Sequence, residues 1–391
     1  MVKFNRFTLA NGLRVIVHED DTTPMAVLNI LYDVGARDED PGQTGFAHLF
    51  EHLMFGGSVN IPVYDEPLQR VGGENNAFTN NDITNYYITL PADNLETAFW
   101  LESDRMLSLA FSEKSLEVQR NVVMEEFKQR YLNQPYGDVW LKLRPLVYKK
   151  HPYRWATIGE KLEHIADAKI ADVKAFFKKH YNPQNAIMVV GGKVSAAEVK
   201  KLAEKWFGPI PAGQKHTRRL PQEPPQHEER RQVVSGKVPQ DAVYIAFQAD
   251  ERRSDTYYIT DLLSDILSRG NSSRLYRSLI KDQQLFSEVN AYTSGSFDKA
   301  MFVVEGKPLE GISTEQAENA LWQQLELLKK EAVPAEELTK VKNKTASTMV
   351  FTEMGLLDKA MNLAYFELLG DAGLLNQETD KYLRVTAPQI K

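Results

Sequence analysis

The sequence predicts an α+β protein made of two similar halves. Both halves read in one order: strands, a helix, more strands, then several helices. Asn11-Gly12 lies between two strand-like runs, a strong hairpin signal, so antiparallel pairing begins near the start of the chain. Pro209 to Arg231 breaks the pattern with five prolines, a charged cluster and few apolar residues, the composition of a linker. The expected domains are residues 1–208 and 232–391, joined by 209–231. In a chain of 391 residues each is large enough for its own core.

The first half opens with the hairpin from Phe7 to Glu19 and an apolar strand from Met25 to Val34. A polar loop, Gly35 to Thr44, leads to a helix from Gly45 to Phe55, with Thr44 as the expected N-cap and Gly56-Gly57 as the stop. Tyr64 to Val71 reads as a short helix. Asn75 to Leu90 reads as one long strand rich in Thr, Tyr and Asn, which suits an edge or a cleft wall. Helices are expected from Pro91 to Leu109, from Ser112 (the N-cap) to Tyr131, from Tyr136 to Tyr148 and from Ala171 to His180. Asn185 to Gly192 is a short apolar strand, and the helix from Ala196 to Trp206 closes the half.

In the second half, strands are expected at Gln232 to Lys237, Ala242 to Ala249, Leu285 to Tyr292 and Ala300 to Glu305. Helices are expected at Asp255 to Leu267 and Ser273 to Ile280, with four more starting at Thr314, Ala335, Gly355 and Asn376. Thr386 to Lys391 reads as the start of a further helix, which predicts a chain cut short at its C-terminus.

Composition narrows the class. Hydrophobic residues are 42% and charged residues 26%, the balance of a soluble globular protein. A net charge of -6 argues against a nucleic-acid partner, which would favour a basic face. No apolar run is long enough to span a bilayer. The start lacks the apolar core of a signal peptide, so a cytoplasmic location is expected, or a periplasmic one if a leader was removed. The absence of cysteine excludes disulfides, thiolate metal sites and a Cys nucleophile. Any metal would be held by His and carboxylate, which suits catalytic zinc.

One helix carries the chemistry. In His48-Leu49-Phe50-Glu51-His52 the two histidines are four residues apart, so they stack on one helical face and can share a metal ion. Glu51 stands close enough to reach a water on that metal. Leu49, Phe50, Leu53, Met54 and Phe55 cover the rest of the helix with apolar surface. The corresponding helix of the second half, Tyr258 to Leu267, has neither His nor Glu, so only the first half is expected to hold a metal.

Two histidines leave a catalytic zinc site one ligand short. His18, His151, His164, His180, His216 and His227 are expected at surface or capping positions, so the third ligand should be a carboxylate. Glu126 is the candidate, flanking the apolar stripe of Val122, Val123 and Phe127.

His48-x-x-Glu51-His52 followed by Arg120-Asn-Val-Val-Met-Glu-Glu126 resembles the insulinase/pitrilysin (M16) zinc metallopeptidases. The order is the inverzincin one, reversed from His-Glu-x-x-His. The likeness is strongest to short members such as the mitochondrial processing peptidase and bacterial zinc proteases. Gly72-Gly73-Glu74-Asn75-Asn76-Ala77-Phe78-Thr79 resembles the family's substrate-binding edge strand. His151-Pro-Tyr-x-x-x-x-Ile158-Gly159 and Ser273-Arg274-Leu275-Tyr276 resemble further family segments. The resemblance implies two structurally similar domains of the LuxS/metallohydrolase-like type. Each would be a mostly antiparallel sheet with helices on one face. It implies one Zn2+ held by His48, His52 and Glu126, Glu51 as general base, and Asn76 and Ala77 on the substrate backbone. Glu125, one residue off register, is the second choice for the third ligand. The implied activity is endopeptidase cleavage of unfolded or short peptides in a clamshell-like dimer, with a copy of the chain or a related chain.

Two departures from the family pattern stand out. The position seven residues before the third ligand is commonly Glu and here is Gln119, which can hydrogen-bond but adds no charge; Glu117 lies nearby. The family's substrate-holding Arg and Tyr have no clear counterpart; Arg274, Tyr276 and Tyr292 are the nearest candidates. The alternative function is a non-catalytic peptide-binding or assembly subunit of the same fold.

Overall fold

The computed structural model describes residues 1–391. Its first sheet has six strands: β1 (Asn5–Thr8), β2 (Arg14–Glu19), β3 (Met25–Tyr32), β4 (Glu74–Thr79), β5 (Thr84–Pro91) and β6 (Ala186–Gly192), in the order β1-β2-β6-β3-β5-β4. Only β2 and β6 run parallel; the other neighbours are antiparallel. β3 lies inside the sheet and is buried from Ala26 to Tyr32, as a strand covered on both faces should be. β4 is the outermost strand and alternates exposed with half-buried residues.

The helices of the first half are α1 (Phe46–Met54), α2 (Asp65–Arg70), α3 (Leu95–Leu107), α4 (Glu113–Phe127), α5 (Val139–Val147), α6 (Leu162–Ala166), α7 (Ile170–His180) and α8 (Ala196–Trp206). Ser112 caps α4 by accepting a hydrogen bond from the Ser115 amide. The core gathers Leu28 and Ile30 of β3, Leu49 and Phe50 of α1, Phe99 of α3 and Val123 of α4.

The second sheet holds β7 (Val243–Ala249), β8 (Phe286–Thr293) and β9 (Ala300–Pro308), ordered β7-β9-β8 and antiparallel throughout. This repeats the β3-β5-β4 arrangement, with a helix again following the first strand. Its helices are α9 (Asp255–Ser268), α10 (Thr314–Lys330) and α11 (Ala335–Thr352), and the chain ends with α12 (Leu356–Leu369), α13 (Glu378–Arg384) and α14 (Ala387–Ile390). No helix is long and apolar enough to cross a membrane.

Two compact units interleave along the chain. The first takes residues 1–144, 150–222 and 352–376; the second takes 145–149, 223–351 and 377–391. The boundaries therefore differ from the expected 208 and 232. Residues 209–222 stay with the first unit, where Arg218 bonds to Asp33 and Asp38. α12, expected in the C-terminal domain, packs on β3 and β6 of the first unit. Gly191 makes room for it, because a Cβ there would stand 3.3 Å from Leu356. Lys359 fastens the helix through an ion pair of 2.7 Å with Asp20.

Other expectations are corrected locally. The stretch from Asn75 to Leu90 is two strands, because Asn80 forms a turn: its side chain accepts the amides of Asp82 and Ile83. Gln232 to Lys237 is not a strand; every residue in it is exposed and has no sheet face to cover. The region after Ser273 forms π-helical turns over Tyr276–Asp282. The N-cap of α1 is Gly45, not Thr44. His18 and His180 are buried rather than superficial, and His151, also buried, caps the turn at Pro152–Arg154 by accepting the Tyr153 amide.

Candidate metal centre

α1 begins at a glycine for two reasons. Gly45 has φ +86°, and a Cβ there would stand 2.5 Å from the Ile158 carbonyl oxygen. Gly45 offers no side-chain cap, and the first turn is capped from outside. The Glu39 carboxylate accepts the Gly45 amide at 2.9 Å and the Ala47 amide at 2.8 Å. Burial raises the Glu39 carboxyl well above its ordinary range, opposed by these two amide bonds. Phe46, Leu49, Phe50 and Leu53 bury the other side of α1, which turns His48 and His52 outward together.

α1 packs against α4, and this contact closes the gap between distant parts of the chain. His48 Nε2 is 3.7 Å, and His52 Nε2 3.4 Å, from Glu126 Oε2. The imidazole rings stand 4.8 Å apart, nearly perpendicular. One ligand atom from each of the three residues lies within 4.8 Å of the other two. Val123 and Phe127 are buried in the core beneath α4, and Glu126 between them is left facing α1. Its other oxygen takes Arg130 at 2.9 Å.

The electrostatics suit a cation. Burial pushes the His48 imidazole below its ordinary pKa, against the opposing pull of Glu126, so the ring is neutral. Hydrogen bonding from His52 holds the Glu126 carboxyl below its usual range, so it is ionised. Two imidazole nitrogens and one carboxylate oxygen converging in this way fit a divalent transition metal with an open position.

Glu51 is half-buried on the same helix. Burial raises its carboxyl above the ordinary value, opposed by a hydrogen bond from Thr79, the last residue of β4. α1, the helix that carries Glu51, also packs against β4. Along β4, Asn76 is exposed and Ala77 half-buried, and the Ala77 amide donates to Asn76 Oδ1 at 2.8 Å. That amide lies outside the ladder with β5, so it belongs to the open edge of the sheet.

The remaining candidates fall elsewhere. Gln119 sits half-buried on α4, but no bond from it reaches His48 Nδ1, which has no partner. Glu125 points to solvent beside Lys128, and Glu117 pairs with Arg120. Arg274 is held by Glu337 at 2.7 Å, and Tyr292 donates to Glu305 at 3.1 Å. Both pairs lie within the second unit. Sequence reasoning missed Glu39 and Thr79. Thr79 carried one signal, its place at the end of an edge strand. Glu39 carried none, since a cap from a neighbouring loop has no periodicity. A cavity of about 520 Å³ in the second unit, lined by Asp261, Asp265, Tyr292 and Glu305, contains none of the metal-centre residues.

A helix presenting paired imidazoles to a distant carboxylate gives a donor set that could hold one metal ion beside an open strand edge. The chain belongs to the insulinase family, peptidase family M16. The insulinase model matches residues 14–144, which hold all four site residues, and the peptidase M16 inactive-domain model matches 167–345. The zinc protease PqqE of Helicobacter pylori is 31% identical over 87% of this chain and 78% of that protein. The mitochondrial-processing peptidase subunit beta of Caenorhabditis elegans is 27% identical over 55% of this chain and 46% of its own length. Among solved structures, a protease from Helicobacter pylori superposes with a TM-score of 0.93 at 28% identity, over all of this chain and 95% of that one.

Proposed function

We propose that this chain is a zinc-dependent endopeptidase that cleaves extended peptides. The observation that carries the reading is the convergence of His48 Nε2, His52 Nε2 and Glu126 Oε2, with Glu51 on a helix that packs against the edge strand. His48, His52 and Glu126 would hold Zn2+. When bound, zinc acts as a Lewis acid that polarises the scissile carbonyl and makes water acidic.

The chain's own groups do the rest. The peptide adds to the open edge of β4 as a further strand, so main-chain hydrogen bonds supply affinity with little sequence demand. The Ala77 amide releases the Asn76 side chain and donates to the substrate backbone. Glu51 removes a proton from the attacking water and carries it to the leaving amine. Its raised proton affinity favours the first of these transfers. Strand addition requires an extended substrate, hence short or unfolded peptides. The relative named as a processing peptidase subunit supports action within an assembly, here a dimer of two such chains.

The test is a fluorogenic peptide assay with and without chelator. Glu51→Gln is expected to keep its metal and lose about 10²- to 10⁴-fold in turnover, the usual contribution of a general base. Full activity in that variant, or in chelated protein, refutes the proposal.

A further inference from the structure

Residues 151–164 touch both halves of the catalytic apparatus. At one end, the Tyr153 hydroxyl donates to Asp82 in the turn between β4 and β5. Asp82 is also paired with Arg37 at 3.0 Å, and all three side chains are buried. The same turn is clasped by the loop before α1, with Ala36 and Arg37 donating their amides to the Asn80 and Asn81 carbonyls. At the other end, the Glu160 amide donates to Thr44 Oγ1 at 2.8 Å, and His164 Nδ1 meets the same hydroxyl at 2.7 Å. Between them, Trp155 Nε1 donates to the Ala36 carbonyl at 2.9 Å. Glu39, in the clasped loop, carries the two amides of the first turn of α1.

Each contact is short, buried or half-buried, and made to a loop or to the first turn of α1 rather than to a core strand. None of these groups reaches the metal ligands or the open edge. What they share is the relative placement of two elements: the helix bearing His48, Glu51 and His52, and the hairpin bearing the substrate edge.

We infer that residues 151–164 and Glu39 form a two-armed brace of positioning residues. The Tyr153–Asp82 arm sets the substrate edge, and the Glu39–Thr44 arm sets the register of the metal-binding helix. The inference rests on the proposed peptidase reading. It assigns separable effects to the arms. Cutting the first arm misplaces the edge on which peptide docks and leaves the imidazoles where they are. Cutting the second frees the first turn of α1, and His48 is one residue past the last capped amide.

The experiment compares wild type, Tyr153→Phe and Glu39→Gln as full-length proteins. Three quantities are measured: cobalt(II) affinity and visible spectrum by titration of the metal-free protein, KM and kcat on a fluorogenic peptide at saturating metal, and thermal unfolding by circular dichroism. Tyr153→Phe is expected to raise KM by about three- to tenfold, the loss of one hydrogen bond, with cobalt affinity unchanged. Glu39→Gln keeps one acceptor and loses the other. It is expected to lower cobalt affinity by about 10- to 100-fold and to alter the spectrum, with KM unchanged. If Glu39→Gln does not fold, Thr44→Ala replaces it with the same expectation, since it cuts the contacts to Glu160 and His164. Parallel changes in both variants, or none, overturn the brace. Wild-type protein that neither takes up cobalt nor cleaves peptide instead overturns the peptidase reading.

Discussion

His52 Nε2 and Glu126 Oε2 stand 3.4 Å apart across the packed faces of α1 and α4. Nothing covalent or local brings them together. Leu49, Phe50, Val123 and Phe127 are buried in one core, and the shared burial sets the two helices at the spacing that the ligands need. The hydrophobic effect thus supplies the geometry, and the polar residues use it.

Glu126→Ala removes the only carboxylate in the donor set. The expected result is a loss of zinc affinity beyond the roughly 10- to 100-fold that supporting residues cost. Glu125→Ala, one residue away and solvent-facing beside Lys128, should leave zinc content unchanged. Metal analysis after dialysis against a weak chelator separates the two. Equal losses would mean that the register of α4 differs from the one described.

The helix pattern around His48 and His52 was legible because a four-residue spacing has only one meaning on an α-helix. The edge position of Glu74–Thr79 was legible from its polar alternation. The break at Asn80 was readable in principle, since Asn-Asn-Asp is turn chemistry, but the flanking Thr and Tyr residues masked it. The docking of α12 was not readable. Ala360, Leu363, Ala364 and Phe366 declare an apolar face, and no periodicity says which sheet receives it. His180 misled for a similar reason: Lys178 and Lys179 precede it, yet the residue itself is fully buried.

Lys359→Met tests that docking. The Lys359–Asp20 pair has side chains only 13% and 12% exposed, and this pairing holds the Asp20 carboxyl well below its usual range. Removing the lysine leaves a nearly buried carboxylate with Thr22 as its hydrogen-bond donor and the His18 ring 3.7 Å away. A loss of about 1–3 kcal/mol is expected on denaturant titration, and Asp20→Asn in the same background should recover part of it. No loss would mean that α12 is held by its apolar face alone.

Arg105 and Glu102 form a pair inside the first core, with both side chains at most 2% exposed. Tyr64 donates to Glu102 at 2.5 Å, and the Tyr64 and Tyr86 rings lie 4.6 and 4.4 Å from the guanidinium carbon. Glu102→Gln leaves a buried guanidinium without its counter-charge and should cost about 3–5 kcal/mol. The double change Glu102→Leu with Arg105→Met removes both charges and should cost less than the single one. Thermal and urea unfolding decide it; a double variant weaker than the single one would show that the pair stabilises beyond its own desolvation.

His180 predicts an acid weakening of the fold. Its ring is buried in the first unit, 4.7 Å from the His216 ring and 4.7 Å from Phe176, and neither nitrogen has a protein partner. Burial pushes its pKa from 6.5 down to about 3. The folded chain therefore keeps His180 neutral while the unfolded chain takes up a proton below pH 6.5. Stability from this group is full above pH 6.5, falls as the pH drops toward 3, and is level below that. The slope within the window approaches about 1.4 kcal/mol per pH unit. His180→Phe keeps the aromatic contact with Phe176 and cannot take a proton. Urea unfolding of both proteins at several pH values should give curves that diverge below pH 6.5, with the wild type losing stability faster. Parallel curves across that window would mean that the ring is paired, through water or a protein group, in a way that admits its charge.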